Sequence, residues 1–587
     1  MNKNLFVLIK RLVFLLKFHK KLLVFASISI ILLSVLSPLR PYLIGQTIDK
    51  YIIKDQNQEL LFIWIFIIFF SLIIEGALQV ASTFYSNLLA QNLILELRMK
   101  LFSKISKLKI KYFDNNHVGT LVTRTVSDMQ AITEVFSSGL MDIIGDLLAL
   151  FLILILMFIT NWELALMTLV PIPILFIATK IFANTMKKAY QKERAAVTSL
   201  NNFVNERLSG MTIVQLFFRQ KQQLQKFDKI NKEHRAAHFQ TIFANSIFFP
   251  VVEVLSSLSI AFILVVASVK ATGKSGSDIK EMYGEIIAFT LWISQLYRPI
   301  RQLADKFNIL QRGAVRAERV FELLDMEEES EKEDNKENVD FNQVITFSNV
   351  SFSYDTNAPV VLTNINLQFE PGKTYAIVGP TGSGKTTLIS LLSRFYSPVN
   401  GQILIGNTPL DEISREEFSK KLGLVLQDVF LFSGSVKENI LLGKKNIDQE
   451  QLERAAIEVG AHDFIIKLPN GYEYNIGERG LDLSVGQRQL ISFLRVYIHN
   501  PEILILDEAT SSIDSASEKL IQEAIEKITV GRTSIIIAHR LSTIQKADLI
   551  LVVSEGEIKE QGSHLDLLSN TKGHYYNLYS KQLINNE

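Results

Sequence analysis

Cysteine is absent from this 587-residue chain. Its absence excludes disulfides, thiol catalysis and cysteine-ligated zinc or iron–sulfur centres. A charge excess is also lacking: 61 Lys and Arg against 60 Asp and Glu leave a formal net charge of +1. That balance gives no electrostatic reason for a nucleic-acid partner. A convincing secretory signal is missing too. In MNKNLFVLIKRLVFLLKFHKK the residues Lys10, Arg11 and Lys17 interrupt the apolar run, and no small-residue cleavage site follows. The segment reads as an amphipathic helix lying at the inner membrane surface, basic side chains toward the headgroups.

What the chain has in quantity is apolar sequence, 48% of all residues. Stretches near the roughly 20-residue spanning length recur at 22–44, 60–81, 140–160, 164–182, 243–269 and 286–309, the last being the least apolar. Lys and Arg concentrate between the second and third stretches (Arg98, Lys100, Lys104, Lys107, Lys109, Lys111, Arg124) and between the fourth and fifth (Lys187, Lys188, Lys192, Arg194, Arg207, Arg219, Lys221). The positive-inside rule then places both long loops, both termini and everything after the sixth span in the cytoplasm. Those long loops keep a helical apolar period, so spans two to five are expected to continue as helices beyond the bilayer. Among ionisable residues in the spans, Glu75 falls near mid-bilayer. There it is either a helix-packing partner or a cavity carboxylate for a cationic or polar substrate. Asp142, Asp146 and Glu253 are expected on solvated helix extensions.

MEEESEKEDNKENVD, from Met326, is acidic and without apolar period, a surface linker. The expected organisation is a membrane domain over 1–325, a linker over 326–342 and a third domain over 343–587. In the last, VITFSNVSFSY, KTYAIVG, LGLVLQ, ILILD and TSIIIAH read as strands alternating with helices, an α/β architecture.

Gly379 to Thr387, GPTGSGKTT, meets the phosphate-loop spacing after a strand and before a helix. The glycines Gly379, Gly382 and Gly384 let backbone N–H groups turn inward around phosphates, Thr381 and Ser383 of the same loop are expected ATP contacts, and the helix N-terminus adds positive partial charge. Lys385 can reach the β and γ phosphates; Thr386 can offer its hydroxyl to Mg²⁺, with Thr387 beside it. ILILDEATSSID supplies Asp507 at a strand end, placed to hold Mg²⁺, and Glu508, placed to polarise an attacking water. His539, ending TSIIIAH, is a further candidate near the γ-phosphate.

Together these motifs resemble the ATP-binding-cassette exporters of the half-transporter type. These have six all-α membrane spans followed by one α/β phosphate-loop ATPase cassette with a helical subdomain. The resemblance covers nearly the whole chain. It implies that Tyr354 in SFSYD stacks on adenine, that Gln427 in LVLQDVFLFSGSVKENI senses Mg²⁺ and the attacking water, and that IGERG, Ile476–Gly480, contacts the intracellular loops. It assigns Asp514 in SSID to communication between sites and His539 to the switch-histidine position. YFDNNHVGTLVTRTVSDMQAI and ERLSGMTIVQLFFRQ are similar to the first and second intracellular loops.

LDLSVGQRQL, 481–490, resembles the signature motif of the family. Ser484 is placed to cap a helix beginning near Val485, and the N–H groups there make an anion site. The family geometry implies that Ser484, Gly486 and Gln487 touch ATP held by a second half-transporter. Val485 stands where the usual motif has Gly. Some heterodimeric exporters pair an intact catalytic Glu with an altered signature; a homodimer is preferred here because every other nucleotide residue is present. The expected activity is ATP-driven export or flipping of a hydrophobic or amphipathic substrate (lipid, drug or peptide) through the bacterial inner membrane, with ATP and Mg²⁺ as cofactors. An ATP-gated channel and a regulatory membrane ATPase are the competing readings.

Overall fold

This structure is a computed structural model, and it describes all residues except 1–10, 12, 13, 15–18, 272–281, 329–338, 356, 357, 445, 508–514, 539, 540 and 587. The chain divides into two compact units. One comprises Met1–Lys107 and Asn116–Met326, the other Leu108–Asn115 and Glu327–Glu587. Most of the expected linker lies outside the described residues.

The first unit is helical: α1 (Lys20–Thr47), α2 (Gln58–Ser106), then, after a short α3 (Ile110–Asn115) that belongs to the second unit, α4 (Val118–Thr123), α5 (Met129–Glu134), α6 (Met141–Thr160), α7 (Trp162–Leu169), α8 (Ile172–Ser209), α9 (Gln220–Ala271) and α10 (Tyr283–Leu324). Among the described residues five helical runs are long and apolar enough to cross a bilayer: Lys20–Lys54, Gln58–Ser106, Val118–Thr160, Trp162–Ser209 and Gln220–Val269. At 1.5 Å per residue, 49 residues of α2 measure about 70 Å, more than twice a hydrocarbon core. The expected helical extensions are therefore present.

The sixth expected span lies inside α10 and is less apolar than the five for a packing reason. Its Phe289, Trp292, Ile293 and Tyr297 are fully buried at the centre of a cluster with Ile153, Leu164 and Val252. Its polar atoms bond inside the bundle: the Trp292 indole donates to the Pro38 carbonyl at 2.9 Å, Gln295 Nε2 to Ser37 at 3.3 Å, and Tyr297 shares a 2.8 Å bond with Ser259. Pro38 and Pro41 interrupt the backbone ladder of α1, and Trp292 and Gln295 donate to carbonyls of that stretch.

Three of the carboxylates singled out in the spans have close cationic partners. Arg40 Nη1 lies 2.5 Å from Glu75 Oε2 between α1 and α2, both half-buried. Asp146 meets Lys306 at 2.5 Å and Glu253 meets Arg301 at 3.2 Å. Glu253 and Asp142 are 66% and 50% exposed, in keeping with the expected solvation. Helix α10 adds cations that the sequence did not announce: Arg301 to Glu253, and Lys306 to Asp146 and, at 3.9 Å, to Asp142. Close backbone approach joins α1 to α10: a Cβ on Gly284 would sit 2.1 Å from the Gly45 carbonyl oxygen.

In the second unit β1 (Ile345–Phe352), β2 (Leu362–Phe369), β4 (Asn400–Ile405) and β5 (Thr408–Pro409) form an antiparallel sheet ordered β2-β1-β4-β5. A six-stranded sheet is built from β3 (Thr374–Val378), β6 (Leu422–Val425), β9 (Ile503–Asp507), β10 (Thr533–Ile537), β11 (Leu549–Ser554) and β12 (Glu557–Gly562). Its order is β12-β11-β3-β10-β9-β6, parallel except for β12; β7 (Gly434–Ser435) and β8 (Asn475–Ile476) make a separate pair. Strand alternation divides the apolar runs between two cores. Ala376, Leu504, Leu506, Ile536 and Val552 face the helical side, whereas Ile377, Ile505, Ile535, Ile537 and Leu551 face the antiparallel sheet.

Candidate nucleotide site

Parallel strands end on one edge, and the candidate residues follow from that register. Ile537 pairs with both Ile377 and Asp507, and Val425 with Leu506. The loop after Val378, the Asp507 carboxylate and the bend carrying Gln427 therefore lie along the same C-terminal edge, where open α/β sheets bind ligands. Glu508, Asp514 and His539 lie outside the described residues; chain connection places Glu508 next to Asp507 and His539 two residues beyond Ile537.

The phosphate loop leaves β3 and enters α11 (Lys385–Leu392). Gly379 has no room for a side chain: a Cβ would lie 2.0 Å from the Val553 carbonyl oxygen. Gly382 and Gly384 adopt φ of 81° and 103°, the left-handed region that glycine enters without strain. The Lys385 ammonium donates to the carbonyls of Gly379 and Pro380, each at 2.9 Å, arching over the loop. Burial draws this ammonium below the usual lysine range, and the nearby Asp507 carboxylate pulls it back. Ser383 Oγ is buried without a hydrogen-bond partner among the described residues. Thr381 and Thr386 are exposed, Thr386 in the first turn of α11. Inward-turned backbone, a cation, an orphaned hydroxyl and a strand-end carboxylate together fit a phosphate chain with a divalent ion.

Tyr354 follows β1, and its hydroxyl lies 2.9 Å from Thr387 Oγ1. Its ring meets Tyr396 edge-on, centroids 5.2 Å apart at 90°. The Tyr396 hydroxyl bonds to the Asp114 carboxylate of α3. Burial and that carboxylate push the phenol well above its ordinary range. Lys111, one turn earlier, donates to the Tyr354 carbonyl at 2.7 Å and meets Asp355 at 2.8 Å. Reading the sequence missed Lys111, Asp114 and Tyr396. In the sequence Lys111 stands only among the basic loop residues and Asp114 only within the recognised run that begins at Tyr112; Tyr396 carries no local motif.

The stretch 481–490 folds as expected locally. α12 (Val485–His499) begins after Ser484, whose Oγ accepts the Gln487 N–H at 3.2 Å while Gln487 Oε1 accepts the Ser484 N–H at 2.9 Å. This reciprocal cap, with Ser484 and Val485 exposed and Gly486 buried, presents a helix N-terminus outward. Among the described residues no hydrogen bond joins Ser484 to Lys385; each bonds within its own loop. Just before it, Arg479 and Gly480 take φ of 57° and 68°, turning the chain sharply after Ile476.

A family model described as ABC transporter transmembrane region matches residues 23–300, and one described as ABC transporter matches 362–511. An uncharacterised ABC transporter ATP-binding protein of Bacillus subtilis (strain 168) is 34% identical over 95% of this chain and 91% of its own. An ATP-dependent lipid A-core flippase of Syntrophus aciditrophicus (strain SB) is 32% identical over 98% and 94%. A putative multidrug export ATP-binding/permease protein of B. subtilis is 31% identical over 97% and 98%. The fold is shared with a bacterial Atm1-family ABC exporter solved with ATP bound: TM-score 0.77, 24% identity, 96% of this chain and 98% of that one.

Proposed function

The chain belongs to the ABC transporter family, an integral membrane ATPase that couples ATP hydrolysis to export, and from that premise we infer that it works as half of a dimer with two shared ATP sites. The observation that carries this reading is the outward-facing, capped helix start at Ser484, on a different loop from Lys385. A second subunit brings Ser484, Gly486 and Gln487 to the γ-phosphate above Gly379–Thr387, and Asp514 and Tyr354 complete contacts to the neighbouring site and the adenine. Binding closes the cassettes through charge-assisted hydrogen bonds, and hydrolysis releases them.

Glu508 orients and polarises the attacking water, His539 holds the γ-phosphate oxygens, and Gln427 reports both. Thr386 and Asp507 would hold Mg²⁺, with Gln427 beside them; bound there it neutralises phosphate charge. Lys385 exchanges its bonds to the Gly379 and Pro380 carbonyls for phosphate oxygens. Because that ammonium is buried, anionic phosphate oxygens compensate its charge better than neutral carbonyls do.

The substrate is hydrophobic or amphipathic; relatives named for lipid A-core and multidrug export support this class. The apolar, outward-facing surface of α2, where Phe62 and Phe66 are exposed, supports a lipid-facing route. For Glu75 to meet a cationic substrate it has to give up Arg40, so that pair competes with such a substrate. Both termini and the cassette face the cytoplasm of the inner membrane, the side the loop charges favour. A homodimer is preferred, since Val485 keeps its backbone N–H at the first position of α12.

The test is ATPase activity of the purified chain alone, titrated with lipids, drugs and peptides, beside Glu508→Gln. The reading expects substrate-stimulated hydrolysis in the first. It expects a closed, ATP-bound dimer with turnover lowered at least ~10²-fold in the second. Near-normal turnover of the Gln variant refutes the assignment. Ion currents that persist with ATP held unhydrolysed transfer the protein to the channel reading.

A further inference from the structure

Between α4 and α5 the helix widens into a π-helical turn over Arg124–Asp128, a deviation that recurs at functional sites. Beside it opens a cavity of about 310 Å³, lined by Gly119, Thr120, Thr123, Arg124, Asp128 and Arg319. Asp128 is 1% exposed. Its Oδ1 accepts from Arg316 at 2.8 Å, while its Oδ2 has no hydrogen-bond partner among the described residues. An unmet buried carboxylate oxygen is costly and calls for a donor. The ATP reaction uses none of these groups.

The lining states the chemistry of an occupant. Arg124 and Arg319 line the cavity with a single carboxylate, and that carboxylate is already met on one oxygen by Arg316, so the cavity favours an anion. The orphaned Oδ2 at the same time demands a hydroxyl or amine donor. The Thr123 hydroxyl donates to the Gly119 carbonyl at 2.8 Å, leaving its lone pairs to accept. At about 30 Å³ per water the space holds roughly ten waters, the low end for small-molecule sites. We propose that this cavity binds a small phosphorylated polyol, its phosphate held by Arg124 and Arg319 and a neighbouring hydroxyl donating to Asp128 Oδ2.

The 124–128 turn precedes the third apolar stretch at Leu140 by about 18 Å of helix, which favours a water-soluble ligand over a lipid headgroup of the same chemistry. Its occupant ties the loop that follows α3 to α10, the last helix before the cassette unit, and therefore changes the ATPase rate.

Glycerol 3-phosphate, inorganic phosphate and glycerol are the probes. Full-length chain in phosphatidylcholine nanodiscs, its cassettes saturated with a non-hydrolysable ATP analogue, is titrated with each by calorimetry and thermal unfolding. Glycerol 3-phosphate is expected to bind at least tenfold more tightly than inorganic phosphate, and glycerol not at all. Asp128→Asn removes that preference. Because Asp128 also holds Arg316, a second variant avoids that pair. Gly119→Phe has nothing within 4 Å of its Cβ, so the ring enters the cavity, abolishing binding while basal ATPase persists. This separates failure here from failure of the transport reading. Weaker binding in phosphatidylglycerol nanodiscs assigns the site to that headgroup, and equal binding assigns it to a soluble ligand. Undiminished binding to Gly119→Phe, no preference over inorganic phosphate, or no binding at all overturns the proposal.

Discussion

Ser484 has two roles in the account above, helix cap and contact to a neighbouring subunit's ATP, and two substitutions separate them. The cap consists of neutral, exposed bonds of 3.2 and 2.9 Å, so its loss in Ser484→Ala costs about 1 kcal/mol, whereas Gly at an N-cap costs only a few tenths. α12 itself survives either change, because Leu490, Ile491, Phe493 and Leu494 are buried in the larger core. For a cassette of this size 1 kcal/mol lowers the unfolding midpoint by about 2–4 °C, so the Ala variant shifts by that much and the Gly variant by less than ~1 °C. A hydroxyl donating to a phosphate oxygen makes a charge-assisted bond of ~1.5–3 kcal/mol, or roughly 10- to 150-fold in ATP-dependent closure. Both variants should therefore lose ATPase alike, at least about tenfold, while only Ala loses stability. The assay is steady-state hydrolysis alongside the cassette unfolding transition. Wild-type hydrolysis by Ser484→Gly would reduce Ser484 to a cap and remove the argument for a shared site.

Tyr396→Phe and Asp114→Asn should each leave ATP binding within about threefold while lowering substrate moved per ATP hydrolysed. Their double-mutant cycle should show coupling of ~0.5–3 kcal/mol, and strict additivity rejects the contact. Gly284→Ala forces a methyl against the Gly45 carbonyl and the Asp49 carboxylate that accepts the Gly284 N–H at 2.7 Å. It should cost about 1–3 kcal/mol by overpacking, read as a lower unfolding temperature; an unchanged midpoint contradicts that approach. Arg11 bonds Asp325 through two contacts of 2.7 and 2.5 Å and stacks over Phe321. Its hydrogen bond holds the Asp325 carboxyl below the usual carboxylate range. Stability from a depressed carboxylate is present above the unfolded value of roughly 3.9 and lost as pH falls through the lowered native one. Arg11→Ala should therefore remove a small acid-side loss, under about 1 kcal/mol for so exposed a pair, seen in unfolding temperature against pH.

Much was legible from local pattern. Apolar length announced the spans, loop basicity suggested their direction, and the phosphate loop declared itself because its glycines, Lys385 and flanking strand are contiguous. Strand periodicity found β3, β9 and β10, which are apolar on both faces. It passed over β2 and β12, whose exposed faces carry polar residues, and also over β4 and over β11, although β11 is as apolar as the strands it found. The signature cap was readable because Ser484 and Gln487 are three residues apart.

What tertiary structure alone decided are the pairings of distant residues. Arg40 with Glu75, Lys306 with Asp146 and Arg316 with Asp128 depend on which helix faces which. Tyr396 reaches Asp114 across 282 positions of sequence. A short motif specifies the backbone that bonds to itself. The partner of a long charged or aromatic side chain is set by packing of whole helices and sheets, and hydropathy along one segment does not carry that information.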